Sequence, residues 1–228
     1  MITSLFCTFA QENEGFLFAE DNFFCWKAVT KGSLLHLKDR MAQKDDVSII
    51  IRQVLSGDTE AFSLLLERYG GKVYGLVMRL VADELEAEEL TQEAFVQAYI
   101  HLGEYQGAAD FATWLYRIAY NTALMHLRRR RNVLFPIDER LADSVGDDEA
   151  EAALAEVTEE RIVLLEAALQ RLSPDDRMLV TLFYYEERPT RDIAYVLDTT
   201  VSNVTTRLHR VRKRLYLLMK QMDYGTEQ

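Results

Sequence analysis

The sequence predicts an all-α protein made of two small helical domains. Only 3 prolines and 10 glycines occur in 228 residues, which favours long helices over a many-turned β-sandwich. Apolar residues recur every three or four positions over about 45–131 and again over about 159–222, as amphipathic helices require. Residues 132–158 between them are acidic and rich in alanine, so we expect a flexible linker. Residues 1–40 are rich in phenylalanine without a clear period, and are predicted to be a poorly ordered extension or a translation-start artefact.

The first domain is expected to contain three helices, each preceded by an aspartate that can act as an N-cap. Asp58 is suited to cap the first of them. Asp83 is followed three residues later by Glu86, a spacing similar to a capping box. Asp110 follows a glycine-containing break and is expected to cap a third helix, which ends in the four arginines 128–131.

The second domain contains the spacing of a helix-turn-helix. Ser173 precedes a proline at the first helical position, which is a strong signal for a helix start. Pro189 interrupts the chain, and Thr190 is expected to cap a short helix after it. Residues 198–200 then form a tight connection to a longer helix that begins at Val201. Two helices joined by such a turn are typical of a DNA-binding unit.

The composition excludes several classes of function. With 26 Lys+Arg against 37 Asp+Glu the net charge is −11, but local rather than global charge decides nucleic-acid contact. Two cysteines and 4 scattered histidines predict neither a disulfide framework nor a metal site. Phosphate-binding loops, dinucleotide fingerprints and nucleophile elbows are missing, so we expect no enzyme and no cofactor. No apolar run is long enough to cross a membrane, and a cytoplasmic protein is expected.

The helix from Val201 is the first candidate site, because its two faces differ in chemistry. Val204 and Leu208 lie on an apolar stripe, whereas the opposite face can hydrogen-bond base edges and phosphates. An amphipathic surface helix with a basic end is the alternative, but the short helix and tight turn before it favour DNA binding. The residues predicted to contact DNA are Ser202, Asn203, Thr205, Thr206, Arg207 and Arg210.

Two further clusters lie in the first domain. Tyr105 and Gln106 occupy a loop where the tyrosine can stack on unpaired bases, although the nearby Phe111 and Trp114 are expected in the core. For the arginines 128–131, phosphate contact and a helix end with favourable charges are both open. The second helix is crowded with carboxylates, which form either a solvated acidic face or a docking face for a basic protein partner. These carboxylates belong to Glu84, Glu86, Glu88, Glu89 and Glu93.

Three ordered segments resemble the extracytoplasmic-function (ECF) sigma factors of bacteria. Residues 86–95, EAEELTQEAF, resemble the family's polymerase-docking signature. Residues 111–119, FATWLYRIA, resemble its promoter-melting helix, which ends in a basic cluster. Residues 201–210, VSNVTTRLHR, are similar to its recognition helix for the −35 element. The resemblance covers about residues 45–220.

The resemblance implies a region 2-like domain at 45–131 and a region 4-like domain at 159–222, joined by the linker 132–158. Such a protein binds core RNA polymerase and directs promoter recognition, melting and initiation at a specific regulon. Its first domain would dock on the β′ clamp helices and hold a base flipped out of the −10 element in the loop 105–110. Its second domain would sit on the β flap and read the −35 element of promoter DNA. An anti-sigma factor is a further partner that the resemblance allows.

The resemblance also assigns site residues. For polymerase binding these are Glu86, Glu89, Leu90, Gln92, Glu93 and Phe95, with Leu90 offering an apolar contact. For the −10 element they are Tyr105, Gln106, Arg117, Asn121, Arg128, Arg129, Arg130 and Arg131. The chain departs from the family at three positions: Asp198 stands where the turn usually has glycine, Asp110 replaces a common serine, and Ala112 replaces a basic residue.

Two other functions remain open at the level of sequence. One is a free-standing helix-turn-helix regulator that binds DNA without polymerase. The other is a helical protein-interaction adaptor whose basic helix ends are incidental. The acidic helix 83–93 favours polymerase docking over the regulator.

Overall fold

The computed structural model describes residues 46–129 and 159–225, with the side chains of 46–129 and 163–222, and all regular structure in these ranges is helical. The predicted extension 1–40, the linker 132–158 and the residues Arg130 and Arg131 lie outside the described residues. The elements in chain order are α1 (46–55), a 3-10 turn (Thr59–Ala61), α2 (Phe62–Val81), α3 (Glu84–Ile100), a 3-10 turn (Leu102–Glu104), α4 (Phe111–Arg129), α5 (Glu159–Gln170), α6 (Pro174–Val180), a π turn (Thr181–Tyr185), α7 (Thr190–Val196) and α8 (Val201–Gly225).

The described residues divide into two compact units, the first ending at Arg68 and the second beginning at Tyr69. In the first unit Asp58 caps the 3-10 turn by accepting a hydrogen bond from the Ala61 N–H, and Arg68 lies 3.7 Å from Asp46. All candidate sites lie in the second unit. Within it we call residues 69–129 the first helical region and residues 159–225 the second helical region.

Polar side chains begin the helices of the second unit largely as the sequence predicts. Asp83, Asp110 and Ser173 each accept a hydrogen bond from the backbone N–H three residues later, at 3.0, 2.7 and 3.2 Å. Each bond satisfies one of the free donors at a helix start, which is what makes these residue types suitable N-caps. The prediction for Thr190 is wrong, because Pro189 occupies the N-cap and Thr190 is already the first residue of α7.

The turn between α7 and α8 has a left-handed residue at its centre. Asp198 has φ of 52°, in the region that glycine adopts most easily and aspartate tolerates. The Thr199 N–H donates to the Ala194 carbonyl at 2.9 Å and closes the turn. The two helices of the predicted helix-turn-helix are therefore joined by a short, hydrogen-bonded connection.

The core of the first helical region forms between α3 and α4, and that of the second forms where α8 packs on α5, α6 and α7. Helix α3 buries one face, on which Leu90 is 4% exposed and Phe95 is 1% exposed. These two side chains cannot contact a polymerase, which corrects the assignment made from the sequence. The apolar side chains that α3 does expose are Leu85, at 74%, and Ile100, at 62%.

Truncation at Phe95 tests this correction. Because the ring is buried, we expect Phe95→Ala to lower the free energy of unfolding by about 3–5 kcal/mol through lost burial and a residual cavity. Leu85→Ala on the same helix is the control and should change it by less than about 0.5 kcal/mol. Urea unfolding followed by circular dichroism measures both, and equal stabilities of the two variants would contradict the burial of Phe95.

Candidate nucleic-acid and polymerase interfaces

Helix α8 separates an apolar face from a polar face along its first three turns. Val204 and Leu208 are buried, whereas Ser202, Asn203, Thr205, Thr206 and Arg210 are exposed. The spacing 202, 205, 206 and 209 follows one helical stripe, and the exposed His209 continues it. The sequence analysis missed His209, although this spacing could have identified it. The exposed stripe offers hydroxyl, amide, imidazole and guanidinium groups to a DNA groove.

Side chains around the turn fix the start of α8. The Asn203 N–H donates to the Thr200 hydroxyl at 3.2 Å, and the Asn203 side-chain amide donates to the Thr199 hydroxyl at 2.7 Å. The hydroxyls of Thr205 and Thr206 donate to backbone carbonyls four residues earlier. These bonds hold the polar groups in defined positions, and the threonine oxygens keep acceptor capacity on the exposed face.

Arg207 does not lie on this exposed face as predicted. Its Nε and Nη2 donate to Oδ1 of Asp176 at 3.2 and 2.7 Å, and Nη1 of Arg214 donates to Oδ2 of the same carboxylate at 3.2 Å. Asp176 is only 8% exposed, so its charge needs these partners. Arg207 therefore joins α8 to α6, and the correction follows from a contact between residues 31 positions apart.

The pairing of Arg207 has a consequence for stability. Removing the guanidinium by Arg207→Ala leaves part of the buried Asp176 charge uncompensated, so we expect the free energy of unfolding to fall by about 1–3 kcal/mol. The exposed Arg210→Ala on the same helix should change it by less than about 0.5 kcal/mol. Urea unfolding distinguishes the two, and a stable Arg207→Ala variant would return Arg207 to the DNA-contacting set.

The loop before α4 holds Tyr105 in an aromatic cluster. Its ring lies 5.6 Å from Phe111 and 5.4 Å from Trp114, measured between centroids, and its hydroxyl donates to the Ala109 carbonyl at 3.0 Å. Burial, followed by the charge of Asp110, raises the pKa of Tyr105 to about 12, so the phenol stays protonated at neutral pH. The ring is thus fixed rather than loose, while Gln106 beside it is exposed.

The predicted −10 residues on α4 divide into exposed and engaged side chains. Asn121, Arg128 and Arg129 are exposed. Arg117 is engaged: its Nη1 donates to the Tyr195 carbonyl and its Nη2 to Asp198, both at 3.1 Å. These contacts occupy the Arg117 donors in the arrangement seen here, so its assignment to −10 DNA stays a prediction that requires their release.

The contacts of Arg117 belong to a polar interface between the first and second helical regions, in which α4 packs on α7. Its shortest ion pair joins Arg188 Nη1 to Asp110 Oδ2 at 2.7 Å. Although burial alone would raise the pKa of Asp110, the charge of Arg188 and the hydrogen bonds from Thr113 lower it, so Asp110 is ionised at neutral pH. No local pattern in the sequence indicated this interface, because its partners lie more than 70 residues apart.

Further bonds extend the interface along both regions. The hydroxyls of Tyr116 and Tyr120 donate to carboxylates of the second region, and for both phenols burial is the first cause of a raised pKa. Arg177 donates to the Leu80 carbonyl at 2.7 Å. The additional partners are Glu186 for Tyr116, Asp175 for Tyr120, Asp192 for Thr113, and Tyr185, whose ring lies 3.9 Å from the Arg79 guanidinium.

The exposed face of α3 carries half of the predicted polymerase contacts. Glu89, Gln92 and Glu93 are exposed, and Leu85 adds an apolar side chain near the start of the helix. Glu86 is less accessible, since its carboxylate lies 3.3 Å from Nε2 of His126 on α4. This surface is mainly acidic, with the exposed apolar side chains Leu85 and Ile100 at the two ends of the helix, which suits a basic protein partner.

Two kinds of site are not found in the part of the chain that the structure describes. Among these residues no helix has the length and apolar character needed to cross a membrane. Within the same ranges no group of three or more His, Cys, Asp or Glu side chains is placed to hold a metal ion.

Comparison with known proteins relates this chain to one protein family. Residues 65–133 match the model of Sigma-70 region 2, and residues 162–215 match that of Sigma-70 region 4. The chain is 38% identical over 185 residues to the RNA polymerase sigma-H factor of Pseudomonas aeruginosa, covering 77% of this chain and 94% of that protein. It is 31% identical over 173 residues to the ECF sigma factor SigW of Bacillus subtilis, with 72% and 92% covered.

Other similarities support the same family and fold. The ECF sigma-E factor of Escherichia coli is 32% identical over 185 residues, with 77% of this chain and 95% of that protein covered. The solved structure of CnrH in complex with the cytosolic domain of CnrY has a similar fold, with a TM-score of 0.56 and 23% identity over 76% of this chain and 96% of that one. The sigma factor RpoE of Bartonella quintana, in complex with the anti-sigma factor NepR, gives a TM-score of 0.52 and 19% identity over 70% and 96%. This chain belongs to the extracytoplasmic-function family of RNA polymerase sigma factors.

Proposed function

We propose that this sigma factor binds core RNA polymerase through α3, reads the −35 element with α8, and uses α4 with its preceding loop to open the −10 element at the promoters of a specific regulon. The exposed polar stripe of α8 carries the DNA-reading part of this proposal. Side chains at 202, 205, 206 and 209 share one face, and the fold does not bury it. In this function the protein positions polymerase and DNA and performs no catalytic step itself.

Reading of the −35 element requires a rigid helix with groups that distinguish bases. The turn 198–200 and the Asp176 pair hold α8, which supports its role as a recognition helix. Asn203 can pair with adenine and Arg210 with guanine, the pairings that their geometry favours in a major groove. The backbone N–H groups of Val201 and Ser202, at the positive end of the α8 dipole, are suited to a DNA phosphate.

Opening of the −10 element requires a place for an unpaired base. The loop 105–110 ends at Asp110 and carries the exposed Gln106 beside the fixed ring of Tyr105. Extrusion of a base costs a few kcal/mol, which stacking and hydrogen bonds in a pocket must offset. Asn121, Arg128 and Arg129 on α4 are suited to the adjacent backbone phosphates. Arg117 on the same helix would join them once its contacts with the second helical region are released.

Polymerase contact is proposed on two surfaces. The acidic face of α3 would dock on the β′ clamp helices, and the second helical region would sit on the β flap. The charges of Glu89 and Glu93 and the exposed Leu85 support the first contact. Because polymerase and the chromosome share the bacterial cytoplasm, we expect the protein to act there.

An anti-sigma factor is proposed as a regulatory partner. The sigma factor RpoE of Bartonella quintana, which has a similar fold, was solved in complex with the anti-sigma factor NepR, and CnrH was solved in complex with the cytosolic domain of CnrY. A plain regulator would bind DNA without polymerase, and an adaptor would give neither polymerase binding nor promoter-specific transcription. Co-purification with core polymerase together with transcription from a genomic library distinguishes the three functions.

Charge reversal on α3 tests the polymerase contact. We expect the double variant Glu89→Lys, Glu93→Lys to bind core enzyme at least tenfold more weakly, because like charges opposed across an interface cost several kcal/mol. The matched control is Glu60→Lys, Glu67→Lys, which makes the same charge change at exposed sites of the first unit. Binding to immobilised core enzyme measures both. Wild-type affinity of the α3 variant would remove this helix from the docking surface.

Truncation on α8 tests the −35 contact. We expect Arg210→Ala to reduce promoter-specific transcription by about 5- to 150-fold, which corresponds to the loss of about 1–3 kcal/mol from a base-reading arginine. Specificity should relax at one base pair, whereas a phosphate contact would weaken all sequences alike. Arg171→Ala is the control, since it removes an exposed arginine outside α8. Run-off transcription on a randomised −35 library gives both readings, and unchanged promoter use by Arg210→Ala would contradict the assignment.

A further inference from the structure

We propose that Asp198 keeps the free protein closed: its carboxylate occupies the Arg117 guanidinium and withholds that arginine from −10 DNA until the two helical regions separate. This inference goes beyond the proposed function and rests on one part of it, the contact between Arg117 and −10 DNA. It assigns a regulatory role to a residue of the helix-turn-helix that does not itself read bases.

The Arg117 guanidinium meets three groups of the second helical region. Nη2 donates to Oδ1 of Asp198 and Nη1 donates to the Tyr195 carbonyl, each at 3.1 Å. The guanidinium carbon also lies 5.0 Å from the Tyr195 ring centroid. An arginine recognises phosphate with the same forked set of donors. The carboxylate and carbonyl oxygens therefore occupy donors that a DNA phosphate would need.

The same interface also covers groups that neighbour the residues assigned to the −10 element. Asp110, the last residue of the loop 105–110, is paired with Arg188, whose side chain is only 13% exposed. Tyr116 and Tyr120 on α4 donate to carboxylates of the second region. The contacts between the two regions thus involve the face of α4 that begins after the loop 105–110. Arg117 is a basic residue on this face.

Geometry makes closure and promoter binding mutually exclusive. In the closed protein a −10 residue, Arg117, lies 3.1 Å from Asp198 in the turn that precedes the −35 helix. On a promoter the two elements are separated by more than one helical turn of DNA, or over about 34–36 Å. One protein cannot keep these contacts while both helices sit on their elements. Opening must therefore precede or accompany promoter binding.

The pair with Arg117 depends on the side chain of the turn residue, Asp198. Asp198 has φ of 52°, a backbone conformation that glycine adopts without strain. The backbone alone therefore favours glycine, and what aspartate adds is a carboxylate bonded to Arg117. The aspartate side chain is 84% exposed and the arginine 34%, so an opening partner can reach the pair. An ion pair this exposed shifts an equilibrium by a factor of about two to five, which biases the protein without locking it.

The experiment uses the full-length protein without polymerase. Cys7 and Cys25 are replaced by serine, and fluorophores are attached through Glu88→Cys and Gln221→Cys, two exposed positions in different helical regions. Energy transfer reports closure, and the anisotropy of a labelled single-stranded DNA of mixed sequence reports binding. Asp198→Asn and Asp198→Gly both accept the left-handed backbone and remove the charge. Glu67→Gln removes one charge elsewhere as the control.

We expect both Asp198 variants to shift the population towards low energy transfer and to bind the DNA probe about two- to fivefold more tightly than wild type. Arg117→Ala should also open the protein but should bind DNA more weakly. Unchanged energy transfer and unchanged DNA affinity in Asp198→Asn would overturn the inference, even if Arg117→Ala loses DNA binding as the proposed function requires. If Arg117→Ala binds DNA normally, the assignment of Arg117 to the −10 element fails instead.

Discussion

The buried carboxylate of Asp176 organises the second helical region. It lies in the first turn of α6, where its charge is poorly solvated, and it is neutralised by Arg207 and Arg214 from α8. A buried charge is stable only with such partners, so the rotation of α8 about its own axis is determined by this requirement. Once the face bearing Arg207 turns inward, the stripe from Ser202 to His209 must point outward.

The neighbouring aspartate extends the same logic across the molecule. Asp175 accepts a hydrogen bond from the Tyr120 hydroxyl on α4 and lies 4.0 Å from Arg207. Two adjacent carboxylates at one helix start therefore contact both the recognition helix and the helix assigned to promoter melting. A rearrangement at either partner changes the electrostatic environment of the other, which connects the two DNA-facing surfaces physically.

The interface between the two regions is polar rather than apolar. Arg188 with Asp110 and Arg117 with Asp198 are ion pairs, and the tyrosine hydroxyls of α4 donate to carboxylates. Polar interfaces of this type exchange their hydrogen bonds for water or for another polar surface at small net cost. Such an interface suits a protein whose two helical regions must separate to reach two distant DNA elements, whereas an apolar interface would resist separation.

The sequence by itself determined the local features of the protein. The caps Asp83, Asp110 and Ser173 could be identified because each residue type can accept a hydrogen bond from the backbone N–H three residues later. The turn at Asp198 could be predicted from the short spacing between two segments of helical periodicity. These features depend on atoms within one helical turn, so residue type and spacing suffice to predict them. The three segments that resemble family motifs, 86–95, 111–119 and 201–210, could be recognised for the same reason, because each is a continuous stretch of sequence.

Only the tertiary structure decided which of those residues are available. Leu90 and Phe95 fall on the face of α3 that packs on α4, so the docking surface reduces to its exposed carboxylates, Gln92 and Leu85. Arg207 and Arg117 find carboxylates 31 and 81 residues away, and no local pattern records such a distance. Exposure and charge pairing are set by which elements meet in space. They are therefore properties of the folded chain rather than of any one motif.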